Sequence, residues 1–320
     1  MHAKEGYQIA AMDPPEEALG RPDLHWVAVS DDGRIGARCS LWWHRVPDLP
    51  GERLGLIGHY AADESDAASL LLERSCRRLS SEGCTLAVGP MDGDVWHRYR
   101  LLVERGTEPP FFLEPDNPDT WVEHFASNGF SVLAQYFSTA IEDLDAPLLR
   151  TERHNSRVRA HGIRLRHPDP SQWLRELRRL YPLVVKAFEK QFLFSAIDED
   201  EFVSLYQPML PVIRPELVFV AEHGDLPVGL VFAVPDMLQS RHDVVDSVVI
   251  QVVAVHPAYE RYGMGMFMVQ CCHDAARREG FRRVIHALMQ ENKASARLTG
   301  RYFKQRVIRR YALFSRRLNS

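Results

Sequence analysis

The sequence lacks any uninterrupted apolar run of roughly 18 residues, the length that a membrane-spanning helix requires. Its start, MHAKEGYQIAAMDPPEEALG, has no apolar stretch long enough for a secretion signal and is acidic where an import sequence would be basic. There are five cysteines, an odd count, and no Cys-x-x-Cys pair, so neither a disulfide framework nor a structural zinc site is predicted. The histidines show no His-Glu-x-x-His pattern, and we expect no metal. These absences predict a cytoplasmic protein with reduced thiols that makes no contact with a membrane.

A strong overall charge is missing too. The formal net charge is −4, which argues against a nucleic-acid partner. From His273 onward, however, 13 basic residues accompany three acidic ones, a local charge of +10. These residues form either solvated helix and strand faces or the surroundings of a phosphate-bearing ligand or an acidic partner, and composition leaves both open.

The hydrophobic pattern repeats along the chain. With 320 residues, 45% of them hydrophobic, the protein is long enough for two domains. Each half predicts a hairpin, a strand, a helix, a strand, a helix and a closing strand. We interpret the repeat as an internal duplication that gives an α+β protein with domains at 1–145 and 146–320 and a boundary near Asp143–Pro147.

Individual elements of the repeat are well marked. In the first half, the helix over 67–82 is expected to begin at a cap on Asp66. In the second half, the β-branched run Ser247–Val255 predicts a strand and Gly263–Glu279 a helix, followed by a further helix over 293–303.

The main chemical signal is Val252–Phe267, VVAVHPAYERYGMGMF, where Gly263 and Gly265 open a helix after a strand and a loop. A helix start leaves backbone N–H groups unpaired at the positive end of the dipole, and glycine lets a ligand come close, so a diphosphate site is predicted. The third glycine of a dinucleotide fingerprint is missing, and so is the Gly-Lys-Ser/Thr of a P-loop. A coenzyme A site and a helix start that merely carries two glycines remain as interpretations.

The surrounding residues resemble the GNAT acetyltransferase superfamily, whose signature is Gln/Arg-x-x-Gly-x-Gly/Ala after a Val-x-Pro run. Val255-His256-Pro257 and Glu260 to Gly265 occupy these positions, and the order of elements matches over about Ile163–Leu318. The first half, with Gly89-Pro90-Met91 and Trp96, looks like the leading half of tandem GNAT-like bacterial proteins. The resemblance implies two GNAT-like domains, each a mixed, mostly antiparallel sheet flanked by helices.

The resemblance also implies a cofactor and a site. The cofactor is acetyl-CoA or another acyl-CoA, and the acceptor is a small-molecule amine that attacks the thioester directly. The backbone of the strand would pair with pantetheine, the amides of the glycine loop would hold the diphosphate, and two polar residues downstream would flank the pantetheine arm. These cofactor-binding candidates are Val253 and Val255; Arg261, Tyr262, Gly263, Met264, Gly265 and Met266; and Asn292 and Ser295. Tyr302 and Tyr311 are candidates for the catalytic acid.

Three positions depart from the family pattern. Glu260 replaces the Gln/Arg of the signature, Gln251 stands where many relatives have a carboxylate base, and Thr299 stands where many have a tyrosine. These departures keep open a non-catalytic GNAT-like protein that binds a ligand or partner. A further alternative uses an acyl carrier protein as donor, met by Arg309 and Arg310 together with Arg301.

The first half has no glycine loop at the corresponding place. Asp63, Glu64 and Asp66 put negative charge where a phosphate would lie. We therefore expect coenzyme A in the second domain alone, with the first domain completing the core or shaping the acceptor site. The sequence makes no prediction of the oligomeric state.

Overall fold

The computed structural model describes residues 6–14, 21–144, 158, 160–242, 244–291 and 305–318. The strands are β1 Tyr7–Ala11, β2 Leu24–Ser30, β3 Ile35–Trp42, β4 Leu54–Ala62, β5 Leu86–Gly89, β6 Leu101–Glu104, β7 Ser131–Ile141, β8 Ile163–Arg166, β9 Phe219–His223, β10 Leu226–Pro235, β11 Ser247–Val255, β12 Arg283–Gln290 and β13 Arg306–Arg317. The helices are α1 Ser65–Ser81, α2 Thr120–Ser127, α3 Trp173–Phe188, α4 Glu199–Tyr206 and α5 Met264–Arg278.

Twelve of these strands form one continuous path, β1-β2-β3-β4-β5-β13-β7-β12-β11-β10-β9-β8, and β6 pairs with β13 beside it. Among the strands that the structure describes, only two neighbouring pairs are parallel, β4 with β5 and β11 with β12, and each lies in a different half. The predicted architecture of two GNAT-like halves, each with a mixed and mostly antiparallel sheet, is confirmed.

The two halves exchange their last strands. β7, from the first half of the sequence, pairs with β12, and β13, from the second half, pairs with β5. β7 and β13 also pair with each other along most of their length, from Arg306 opposite Ala140 to Ser315 opposite Ser131. This exchange joins two sheets into one. The sequence boundary near 143–147 falls largely outside the described residues and stays a prediction.

Helices cover both faces of the sheet. α1 packs its apolar residues Ala68, Leu71, Leu72, Cys76 and Leu79 into the core of the first half. Its N-cap is Glu64 rather than the predicted Asp66, which lies in the first turn. In the second half, α5 packs on one face and α3 and α4 pack on the other. Within the described residues, no helix combines the length and apolarity needed to cross a bilayer.

Several arginines near the C-terminus form ion pairs with acidic residues of the first half. Arg283 and Arg306 both pair with Glu108, at 2.9 and 2.7 Å. Arg309 is fully buried and pairs with Glu114 at 2.9 Å. These partners come from the first half, so the interpretation of the whole cluster as ligand surroundings is wrong for these three arginines.

Candidate functional site

Strands β11 and β12 begin as a parallel pair and then diverge. Their pairing runs from Ser247 opposite Arg283 to Ile250 opposite His286 and ends there. Beyond that point β11 continues only against β10, as far as Val255. We call this divergence the split. It leaves one edge of β11 without a strand neighbour among the described residues, which is where an extended ligand can add to a sheet.

Both strands bulge at the split. On β11, Phe232 of β10 faces Val252 while Ala233 faces Ile250, so Gln251 is the extra residue. On β12 the register with β7 shifts between His286 and Met289, and Leu288 has a positive φ of 58°. Bulges end regular pairing and re-aim side chains, so the opening of the sheet has a local cause in the backbone.

The glycine loop lies next to the free edge of β11. A short 3-10 turn over Pro257–Tyr262 follows β11, and Gly263, with a φ of 75°, begins α5. No side chain caps this helix, so its first N–H groups are presented to a ligand. A Cβ added at Gly265 would lie 3.5 Å from Val255 Cγ2 and 3.9 Å from Val253 Cγ1. The structure therefore brings together the predicted pantetheine strand and the predicted diphosphate loop.

Some of the remaining predicted site residues are exposed, and others lie outside the described part of the chain. Arg261 is exposed, and its Nη2 donates to the Tyr262 hydroxyl at 2.7 Å, so no described contact ties it to Glu260. Asn292, Ser295 and Tyr302, together with the helix predicted over 293–303, lie outside the described residues. Their roles stay predictions.

Tyr311 is fully buried on β13, which is separated from β11 by β7 and β12. Its hydroxyl donates to Glu114 Oε1 at 2.6 Å and accepts from Ser138 Oγ at 3.3 Å. Burial, and then the neighbouring Glu114 carboxylate, raise the pKa of Tyr311 above its ordinary value. The structure does not bring this phenol to the glycine loop, and its link to the site runs through Glu114.

A cavity of about 490 Å³ opens at the split. We call it the split cavity. Gln251 and Val252 line it from β11, and Ala287 and Leu288 line it from β12. Its apolar wall comes from α3, α4 and the turns around them: Phe188, Leu205, Tyr206 and Met209, with Phe232 of β10. Apart from Gln191, which follows α3, the remaining wall belongs to the first half of the chain: Val95, Trp96, His97, Arg98, Tyr99, Arg100, Leu113, Glu114 and Pro115.

Arg100 connects the first half of the chain to β12 at the split. Its φ of 73° is in the left-handed region, and its guanidinium lies over the rings of Tyr99 and Tyr136, at 3.7 and 4.2 Å from their centroids. Its Nη1 donates to the carbonyl of Leu288, at the bulge of β12, at 3.4 Å. The contacts of Arg100 could not be predicted from the sequence, because Tyr136 and Leu288 are distant from it along the chain.

In the first half, the helix start that corresponds to the glycine loop is closed by its own side chains. Glu64, the N-cap of α1, accepts from the Tyr7 hydroxyl and pairs with Arg34, each at 2.5 Å. These hydrogen bonds lower the pKa of Glu64 and keep it ionised. A carboxylate therefore lies where a diphosphate would have to bind, in agreement with the expectation for this half.

Comparison with known proteins finds similar sequences. The model of the acetyltransferase (GNAT) family matches residues 177–303. A bacterial ceramide synthase from Caulobacter vibrioides is 27% identical over 216 residues, which are 67% of this chain and 55% of that protein. The chain thus spans about half the length of this curated relative.

Solved structures share the fold. A GCN5-related N-acetyltransferase from Sphaerobacter thermophilus has a TM-score of 0.53 at 15% identity, over 92% of this chain and 81% of that one. One from Anabaena variabilis has a TM-score of 0.51 at 10% identity, over 92% and 63%. The split, the glycine loop and these structural matches show a GNAT-type fold. The family model matches only the second half of the chain, where the split and the glycine loop lie.

Proposed function

We propose that the protein is an acyl-CoA-dependent N-acyltransferase with its donor site in the second half. The observation that carries this proposal is the uncapped helix start at Gly263, next to the free edge of β11. Pantetheine would extend the sheet along Val253 and Val255, and the first amides of α5 would hold the diphosphate. The thioester would then reach the split cavity.

The split cavity suits the acceptor. A neutral amine entering it attacks the thioester carbonyl carbon; the C–N bond forms, the C–S bond breaks, and the amine nitrogen loses a proton. A backbone N–H at the bulge of β11 would stabilise the oxyanion. Gln251 cannot take the proton at neutral pH, so another group or solvent must.

Glu114 is the one carboxylate among the described residues that line the split cavity. Burial raises its pKa, although Tyr311 and Arg309 act in the opposite direction by stabilising the charged form. A carboxyl with a raised pKa is a better proton acceptor near neutral pH than an ordinary one. On this proposal Glu114 receives the amine proton, directly or through water, and Tyr311 positions it.

The apolar wall of the split cavity bears on the substrate class. It suits an amine or an acyl chain with an apolar portion. The name of the related ceramide synthase agrees with this, since a ceramide is an amide made by acylating a long-chain amino alcohol. We therefore include amphiphilic amines beside small polar amines, and longer acyl chains beside acetyl, as substrates to test.

The structure bears differently on the two alternatives to an acyl-CoA-dependent enzyme, an acyl carrier protein as donor and a non-catalytic ligand-binding protein. An acyl carrier protein donor loses much of its basis because Arg309 is buried and Arg310 pairs with Glu291 at 2.5 Å. A non-catalytic ligand-binding protein is favoured by Gln251 at the bulge, which offers no base.

A matrix of acyl-CoA donors and amine acceptors, followed by release of free thiol, tests the proposal. We expect turnover that needs both substrates. Coenzyme A binding by calorimetry without turnover for any amine would favour the non-catalytic alternative, and absence of both would refute the proposed function.

A further inference from the structure

The first half of the chain has a divergence of strands of its own. β4 and β5 pair in parallel as far as Leu56 opposite Val88, and their pairing ends there. β4 then continues against β3, with a register shift between Gly58 and Ala61. Within that interval His59 has a positive φ of 45°. β4 and β5 thus repeat the divergence and the bulge seen at β11 and β12, and we call this place the first-half split.

A cavity of about 320 Å³ opens at the first-half split. We call it the first-half cavity. It is lined by Arg38 of β3, by His59, Tyr60 and Ala61 of β4, and by Pro90, Asp92, Arg98, Tyr99, Arg100, Leu101, Pro115, Asn117 and Trp121. Cavities that hold small molecules in proteins measure about 300–1,000 Å³, so this one is large enough for a small ligand.

The edge of β4 at the first-half split is already occupied by the chain itself. The backbone N–H of His59 donates to Asp92 Oδ1 at 2.6 Å, and the indole of Trp121 donates to the carbonyl of Ala62 at 2.9 Å. An extended arm such as pantetheine therefore has no free edge to join here, and Glu64 closes the neighbouring helix start. The first-half cavity is left for a ligand that has neither a pantetheine arm nor a diphosphate.

The charge of the lining residues favours an anion. One carboxylate, Asp92, lines the cavity beside three arginines, Arg38, Arg98 and Arg100. Both oxygens of Asp92 are directed towards His59, because Oδ1 accepts from its backbone N–H and Oδ2 lies 3.9 Å from its Nε2. The lining therefore keeps an excess of positive charge, which attracts an anion.

Two of the arginines retain donors for a ligand. The guanidinium of Arg38 is exposed and makes no hydrogen bond or ion pair within the described part of the chain. Arg98 donates from Nη2 to the carbonyl oxygen of Asp116, a neutral partner that does not compensate its charge. A guanidinium presents parallel N–H groups that match the oxygens of a carboxylate or a phosphate.

The rest of the lining is largely aromatic and apolar. The ring of Tyr60 packs edge-on against Trp121, with their centroids 5.3 Å apart, and Pro90 and Pro115 complete this part of the wall. A bare inorganic anion would leave these surfaces without a partner. A ligand with an apolar body beside its anionic group would cover them.

We propose that the first-half cavity binds a small organic anion, a carboxylate or phosphate group on a compact apolar body, through Arg38 and Arg98. This inference stands apart from the proposed function, because neither an acyl donor nor turnover enters it.

The experiment is an NMR titration of the full-length protein with benzoate and with phenyl phosphate, observed at the indole N–H signal of Trp121. The spectrum of Trp121→Phe assigns that signal, and benzamide serves as the neutral analogue of benzoate. We expect at least one of the two anions to shift the signal to saturation at one site per chain, and benzamide to leave it unchanged. Comparison of the two anions shows whether the site prefers a carboxylate or a phosphate.

Arg38→Gln should weaken binding of the anion at least about fivefold, because it removes a charge-assisted pair. The side chain is exposed, so the substitution leaves the core intact. The matched control is Arg45→Gln, because Arg45 is an exposed arginine of the same half that does not line the cavity. Its affinity for the anion should equal that of the wild type.

Three results would overturn the proposal. One is the absence of a saturable shift at Trp121 with either anion in the wild-type protein, and a second is unchanged affinity in Arg38→Gln. The third is a benzoate or phenyl phosphate shift at Trp121 that excess coenzyme A abolishes, which would place the anion at the glycine loop. Failure of the protein to bind coenzyme A would refute the proposed function and leave the titration at Trp121 unaffected.

Discussion

A graded pair of substitutions at Gly265 tests the donor site. A Cβ at this position meets Val255 and Val253 only at ordinary van der Waals distance, 3.5 and 3.9 Å, so Gly265→Ala needs no movement of the backbone. Alanine is a better helix former than glycine by up to about 1 kcal/mol, and this variant should fold at least as stably as the wild type. Gly265→Trp instead projects an indole over the free edge of β11, where pantetheine would run.

The magnitude follows from the contacts that would be lost. A hydrogen bond to a charged group contributes about 1.5–3 kcal/mol, so displacing the diphosphate from even one amide weakens binding about ten- to a hundredfold. We expect Gly265→Trp to bind coenzyme A at least tenfold more weakly than the wild type, a loss of about 1.4 kcal/mol. Gly265→Ala should remain close to the wild type.

Calorimetric titration with coenzyme A measures the three affinities, and thermal unfolding followed by circular dichroism checks that each protein is folded. If Gly265→Trp folds and binds within twofold of the wild type, the glycine loop is structural and the placement of the donor is refuted. A loss as large for Gly265→Ala would show that a single Cβ at this position already obstructs the ligand, because Gly265 lies inside α5 and alanine adopts its helical conformation.

Three further predictions concern stability. Burial lowers the pKa of His286 from 6.5 to about 4, and it also lowers the pKa of His273, whose Nε2 lies 2.8 Å from that of His286, so the unfolded chain takes up these protons first as the pH falls. The contribution of His286 to the free energy of unfolding should decline between pH 6.5 and 4 by up to about 3 kcal/mol, and urea unfolding should show a shallower decline for His286→Gln. Arg309→Leu leaves Glu114 buried without its ion pair and should cost about 3–5 kcal/mol in urea unfolding, and a cost below about 1 kcal/mol would contradict the pairing. A fragment of residues 146–320 lacks β7 and β5, the partners of β12 and β13, and should show no cooperative thermal unfolding; a cooperative transition would contradict the strand exchange.

The local hydrophobic pattern of the sequence predicted the helices and strands well. It did not predict that the two halves exchange their last strands. The predicted strand Ser247–Val255 coincides with β11, and the predicted helix Gly263–Glu279 matches α5 within one residue at each end. Nothing in the alternation of β7 or β13 says which sheet each one joins, because either strand satisfies the hydrophobic pattern of either half. Strands that are distant in sequence pair according to how the whole core packs. Local periodicity carries no information about that packing.

The charge pattern illustrates the same limit. The excess of arginine after His273 is visible in the sequence. The acidic partners of these arginines are not, because Glu108 and Glu114 belong to the first half and are distant from Arg283 and Arg309 along the chain. Composition cannot tell a ligand-binding cluster from ion pairs that fasten two halves. The glycine loop was predictable because its strand, turn and helix start are neighbours in sequence, whereas the walls of the split cavity were not.

The structure gives a physical reason for a duplicated half without a cofactor loop. Its helix start is occupied by Glu64, so that half has no place for a diphosphate. It nevertheless supplies β7 to the centre of the sheet, Arg100 to the bulge at Leu288, and much of the wall of the split cavity. On the proposed function, the second half alone holds the donor while both halves enclose the acceptor. Substitutions in the loop 95–100 would then change which amines the protein accepts without changing its affinity for coenzyme A. The two halves can have these separate roles in one site because the exchanged strands hold them together.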